Sequence, residues 1–169
     1  MKITLYNAIS IDGFIAKEDG NSDWVSDTDG KIFDKTCKKS RCIFVGRRTF
    51  DQFKGEIYPI QSVTNIVLTS NKNQQPTEEN TFYFNSVREA IKTAEEKGHN
   101  EAILVGGART NESFLTETFI DEIILSIHPI ALGSGLKIFN KYSGEIHLSL
   151  VKTESMNNEL VYIYYKVNK

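Results

Sequence analysis

Apolar positions along this chain fall into short runs that switch repeatedly between a period of two and a period near 3.6. Residues 3–9, 42–46, 63–70, 81–84 and 102–105 are strand-like, crowded with β-branched and aromatic side chains that suit a pleated surface. Helical patterns lie between them, at residues 28–39, 47–53, 87–97 and 111–117. In the first of these Ile32, Phe33 and Thr36 share one face. Ser86 stands three residues before Glu89, the capping-box spacing, and Gly98 closes the helix that Ser86 opens. From Asp121 onward the pattern is strands again, at residues 122–129, 145–153 and 160–167. Residues 10–26 are rich in turn signals, Asp12-Gly13 and Asp19-Gly20 among them, and residues 71–80 form the most polar stretch. This alternation predicts an α/β sheet with crossover connections. No repeat, low-complexity tract or linker divides the chain, so residues 1–169 are expected to form one domain.

Composition narrows the class. With 40% hydrophobic and 25% charged residues and a formal net charge of −2, the chain reads as an ordinary globular protein. It lacks the basic surface that nucleic acid or an anionic membrane would need. No apolar run approaches the roughly 18–20 residues of a membrane span. A strand starting at Lys2 leaves no room for a signal peptide, which favours a cytoplasmic location. Cys37 and Cys42 are expected to be reduced packing residues, and no cluster reads as a metal site.

The chemistry gathers at strand ends. Residues 102–115, AILVGGARTNESFL, run from an apolar strand through two glycines into a helix. Glycine suits a backbone that must approach a ligand closely, and the N–H groups of a helix start suit an anion such as pyrophosphate. Arg109 would add a charge-assisted bond. This is not the GxGxxG fingerprint. Residues 44–50 (FVGRRTF) and 66–70 (IVLTS) likewise place donors at the carboxyl ends of strands, where open α/β sheets bind ligands. Arg47 or Arg48 suits a 2′-phosphate. Each element alone reads as a glycine turn or a solvated charge; three together point to a nucleotide.

The series SIDGFIA, Trp24, VGRRTF, IVLTS, LVGGAR and ILSIHPI resembles, in order and spacing over the whole chain, the dihydrofolate reductase superfamily. It is most similar to the reductase domain of bifunctional riboflavin-biosynthesis deaminase-reductases and its stand-alone relatives. The resemblance implies a three-layer fold, with a central mostly parallel sheet, antiparallel C-terminal strands and flanking helices. It implies NADPH as cofactor and a cis peptide at Gly106-Gly107. Gly46, Arg47, Arg48 and Thr49 match a first cofactor-binding turn, and Leu68, Thr69 and Ser70 the segment near the 2′-phosphate. Gly107, Ala108, Arg109 and Thr110 match the pyrophosphate turn, Ala8 and Ile15 positions beside the nicotinamide, and residues 16–24 a loop that closes over the reacting ring. On the substrate side Trp24, Asp29 and Phe33 keep the family's interval. The resemblance makes Asp29 the acid that binds an N–C–N amidine edge, with Ser126 supporting it. Asp27 is a nearby competitor, and a plain helix N-terminal acid is the structural alternative for Asp29.

Departures from the pattern open the substrate question. Val63 stands where folate reductases carry an arginine for the glutamate tail. Phe14 and Val105 replace polar residues of the riboflavin-pathway reductases, and Asn111 replaces a tyrosine beside the nicotinamide. The expected function is an NADPH-dependent reductase of a pterin- or aminopyrimidine-type heterocycle. A weak dihydrofolate reductase and a non-catalytic nucleotide-binding protein are the alternatives. The resemblance also implies a homodimer, with VYIYYKV as its edge strand. Of the histidines, His99 is expected to be solvated, His128 structural and His147 packed.

Overall fold

The computed structural model describes residues 1–71 and 78–169. An eight-stranded sheet forms its middle layer. The strands are β1 (Lys2–Ser10), β3 (Cys42–Gly46), β4 (Thr64–Leu68), β5 (Thr81–Phe84), β6 (Glu101–Leu104), β7 (Glu122–His128), β9 (His147–Met156) and β10 (Leu160–Asn168). They lie in the order β5-β4-β3-β6-β1-β7-β10-β9. Neighbours from β5 to β7 run parallel, and β10 is antiparallel to both β7 and β9. Among the described residues four helices cross between strands: α1 (Asp27–Ser40), α2 (Arg47–Gln52), α3 (Val87–Glu96) and α4 (Ala108–Thr116). The fold is the expected one, a mostly parallel sheet with antiparallel C-terminal strands and flanking helices.

Strand alternation explains why both faces of the sheet are covered. Leu5, Phe44, Ile66 and Leu104 point to one side, where they pack with Val87, Ala90, Ile91, Phe114 and Leu115 from α3 and α4. Their chain neighbours Tyr6, Ile43, Val45, Val67 and Ile103 point to the other, against Cys37, Phe50, Tyr58 and Tyr162. Both cysteines are free and buried. Burial pushes the Cys42 thiol up to about 12 and Cys37 higher still, so neither supplies a thiolate at neutral pH.

Several expectations need correction. Helix α4 begins at Ala108 rather than 111, because Gly107 already occupies the N-cap position. The ninth strand is displaced towards its C-terminal end relative to residues 145–153, following its register with β10. Two short strands escaped the pattern, β2 (Phe14–Ala16) and β8 (Leu136–Lys137), which pair with each other away from the main sheet. Most of the polar stretch 71–80 lies outside the described residues. His147 is exposed on β9 rather than packed. His99 is half-buried, with Nε2 bonded at 2.9 Å to Thr64 Oγ1, and burial lowers its pKa. VYIYYKV is not a sheet edge: β10 pairs on both sides, and the edge belongs to β9. No helix among the described residues is long and apolar enough to cross a membrane.

Candidate active site

A cleft of about 1590 Å³ opens at the carboxyl ends of the parallel strands and collects residues from four of them. Gly46 follows β3, Leu68, Thr69 and Ser70 close β4, and Gly107 follows β6. Ala8, on β1, lines the opposite part with Ile15, Asp29 and Phe33. Arg47, Arg48, Thr49, Ala108, Arg109 and Thr110 line the same cleft. Strand order places this mouth where crossovers diverge to either side of β1 and β6, the switch point of an open α/β sheet.

Two glycine turns meet there. The Gly46 N–H donates to Gly106 O at 2.7 Å, which ties β3 to β6 immediately before α2 and α4 begin. The Gly106-Gly107 peptide is cis, and Gly106 takes φ +103°, a region that favours glycine. A methyl group at Gly107 would stand 2.9 Å from Thr49 Oγ1, and one at Gly46 would press directly onto Thr110 Oγ1. The turns therefore hold two backbones and two threonine hydroxyls at a spacing that any Cβ would fill. The opening N–H groups of α4 have no intrahelical acceptor, as at every helix start. This cradle fits a phosphate-bearing cofactor.

The arginines differ in freedom. Arg47 is held by Asp51, one helical turn on, at 3.0 Å. Arg48 is exposed and forms no ion pair among the described residues. Thr69 is buried, and its hydroxyl accepts from the Asn71 N–H at 3.1 Å, whereas Ser70 is exposed.

The opposite part of the cleft is organised around a buried carboxylate. Asp29 is 2% exposed in the first turn of α1. Its N–H donates at 3.2 Å to Oγ of the N-cap Ser26, whose own N–H donates at 3.2 Å to His128 Nε2. His128, buried and edge-on to Trp24 at 5.2 Å, thus anchors the start of the helix that carries Asp29. One oxygen of Asp29 accepts from Tyr6 Oη at 2.6 Å and from Tyr162 Oη. Burial first, then the adjacent Asp29 charge, pushes the Tyr6 hydroxyl well above the usual tyrosine range; burial and the bond to Asp29 do the same for Tyr162.

Three predicted site residues are not cleft residues. Trp24 lies behind the wall against His128, with its Nε1 buried and without a partner. Ser126 is fully buried; it neighbours the Tyr162 hydroxyl and lies 3.4 Å from His128 Nδ1, so it touches partners of Asp29 and of its helix start rather than the cleft. Gly106 lies behind the turn and acts through its carbonyl. Conversely, Tyr6, Asn7, Lys31 and Gln52 line the cleft and escaped sequence reasoning. Asn7 accepts at 2.8 Å from Asn111, which is fully buried and also donates to Ile138 O. Asn111 is therefore a structural link between β1 and α4 rather than a stacking partner. The segment 17–23 lies beside α2 at the cleft mouth, closed on itself by a Lys17–Asp23 ion pair of 2.7 Å and by Asp19 and Asn21 side-chain bonds to backbone N–H groups.

Residues 1–162 match the model of the RibD C-terminal domain. The chain belongs to that family. The Bacillus subtilis (strain 168) protein YwjB is 32% identical over 170 residues, 97% of both chains. A putative riboflavin biosynthesis protein from Shewanella sp. PV-4 superposes with a TM-score of 0.81 at 25% identity, over the full length of both chains. Dihydrofolate reductase from Enterococcus faecalis, solved with NADP(H), has the same fold at a TM-score of 0.78 and 22% identity, covering 99% of this chain and 97% of that one. Membership of this reductase-domain family supports a reductase.

Proposed function

We propose that this RibD C-terminal domain family member acts, as one domain, as an NADPH-dependent reductase that delivers a hydride to a flat pterin- or aminopyrimidine-type ring. The observation that carries the reading is a single cleft with a glycine-lined anion cradle on one side and a buried carboxylate on the other. A non-catalytic nucleotide binder has no use for a buried acid facing the cradle across the cleft. A bound nicotinamide cofactor would supply the hydride. Gly46–Thr49 and Gly107–Thr110 would hold its phosphates, with Ala8 and Ile15 beside the ring. Asp29 holds the substrate ring and handles the accompanying proton, and the 17–23 segment limits water at the mouth.

One feature argues against folate and one against the ribosyl-phosphate substrate. Val63 is buried in the core, so its position offers no contact to a glutamate tail. Val105, buried at the cleft wall, likewise offers no polar contact to a ribosyl phosphate. A compact heterocycle fits this lining better than either extended substrate. Leu150 and Val151, exposed on the β9 edge strand, support pairing of two copies there.

The cofactor assignment has a direct test. Arg48, Thr69 and Ser70 should make NADPH bind about tenfold or more tightly than NADH, as one charge-assisted phosphate contact gives. Arg48→Ala should erase most of that preference without weakening NADH. Equal affinities in the wild type, measured by calorimetry, would remove the 2′-phosphate from the reading.

A further inference from the structure

We infer that Tyr6 and Tyr162 are specificity-determining residues: by filling one oxygen of Asp29 they leave it a single-point acceptor. The site then selects rings that present one N–H donor, as a lactam or imide does, over rings that present a two-donor amidine edge. This deepens the reductase reading and rests on it for the statement that the ligand at Asp29 is the substrate.

The case is one of lone pairs. Both phenol hydroxyls donate to Asp29 Oδ1. A carboxylate oxygen has two acceptor sites, so Oδ1 is full. Oδ2 accepts no bond from the described residues, and Asp29 lines the cleft. An amidine edge needs one acceptor on each oxygen, and here its second N–H would meet a saturated one. A buried donor left without a partner lowers affinity by about tenfold or more.

The tyrosines are fixed in this arrangement. Tyr6 and Tyr162 are 2% and 1% exposed and sit on β1 and β10, to either side of β7. Their hydroxyls lie 3.2 Å apart, and the Tyr6 ring packs edge-on against Phe33 at 5.5 Å and against Tyr162 at 6.3 Å. Both phenols are held protonated, burial acting first and Asp29 next, so both remain donors across the neutral range. Moving either hydroxyl away would also mean repacking this aromatic group.

The test uses the full chain and two rings of equal size, 2-aminopyrimidin-4(3H)-one and 2-methylpyrimidin-4(3H)-one, titrated by NMR with and without NADPH. In the second ring a methyl group replaces the 2-amino donor and leaves the lactam N–H as its one donor. The wild type should bind the amino ring about tenfold or more weakly than the methyl ring, because the extra donor is buried without an acceptor. Tyr6→Phe or Tyr162→Phe frees one site on Oδ1 and should raise the relative affinity for the amino ring by about tenfold. A wild type that binds the amino ring as tightly as the methyl ring, or more tightly, overturns the inference, and does so even where a phenylalanine variant fails to fold. An unchanged ratio in folded variants overturns it as well. NADPH titration of the same samples judges the cofactor reading separately, since the ring ratio is also measured without NADPH.

Discussion

Asp29→Asn is expected to lower turnover by about 10²–10⁴-fold, the usual loss when a positioned proton-transfer group is removed, while NADPH affinity stays at the wild-type level. Asparagine keeps the size of the side chain and an oxygen for the Tyr6 and Tyr162 hydroxyls, so the aromatic group around the site has no reason to repack. What disappears is the charge. Asp29 also stands in the first turn of α1, where an acid favours the helix dipole. Were that its whole role, the cost would be about 0.3–1 kcal/mol of stability and nothing in rate. Steady-state oxidation of NADPH separates the two, run with dihydrobiopterin, dihydrofolate and the riboflavin-pathway aminopyrimidine supplied one at a time. Unchanged turnover would take Asp29 out of the mechanism. Asp27, exposed at the same cleft, would then be the carboxylate to test.

The side of the cleft proposed for the cofactor was more legible than the side proposed for the substrate, for a physical reason. The glycine turns come from contiguous stretches, a strand end followed by a glycine and a helix start, and a linear motif records them directly. Gly46–Thr49, Leu68–Ser70 and Gly107–Thr110 all reach one cleft, as their motifs implied. The Asp29 side is assembled from residues far apart in the chain. Tyr6 and Tyr162 are 156 positions apart, and each sits in an apolar strand where a tyrosine reads as packing. Their shared bond to Asp29 depends on the strand order β1-β7-β10, which no local pattern encodes. The same limit turned VYIYYKV into an expected edge. One signal was available: a tyrosine inside a strand that is expected to be buried calls for a partner for its hydroxyl, and Tyr6 and Tyr162 both meet that description. The strands β2 and β8 were missed because three and two residues carry no periodicity.

Gly46→Ala should weaken NADPH binding by about 5–150-fold, because overpacking a well-filled site costs about 1–3 kcal/mol. The new methyl group would press onto Thr110 Oγ1 and sit 3.5 Å from both Gly106 O and Gly107 N. Gly46 is N-cap of α2 and bonds to Gly106, so displacement here moves both glycine turns together. Loss of binding alone would not separate a cradle from a general structural defect, and the second substitution does. Thr110→Ala in the Gly46→Ala background removes the hydroxyl that the methyl group meets and should recover part of the lost affinity. Thr110→Ala alone should cost little more than one hydroxyl contact, about 0.5–1.5 kcal/mol. Coupling of this sign between two residues 64 positions apart follows from the contact of their atoms, and its appearance in NADPH affinity with thermal stability unchanged ties that contact to the cofactor. Strictly additive losses, or full NADPH affinity in Gly46→Ala, would mean that the two turns do not form the cofactor cradle.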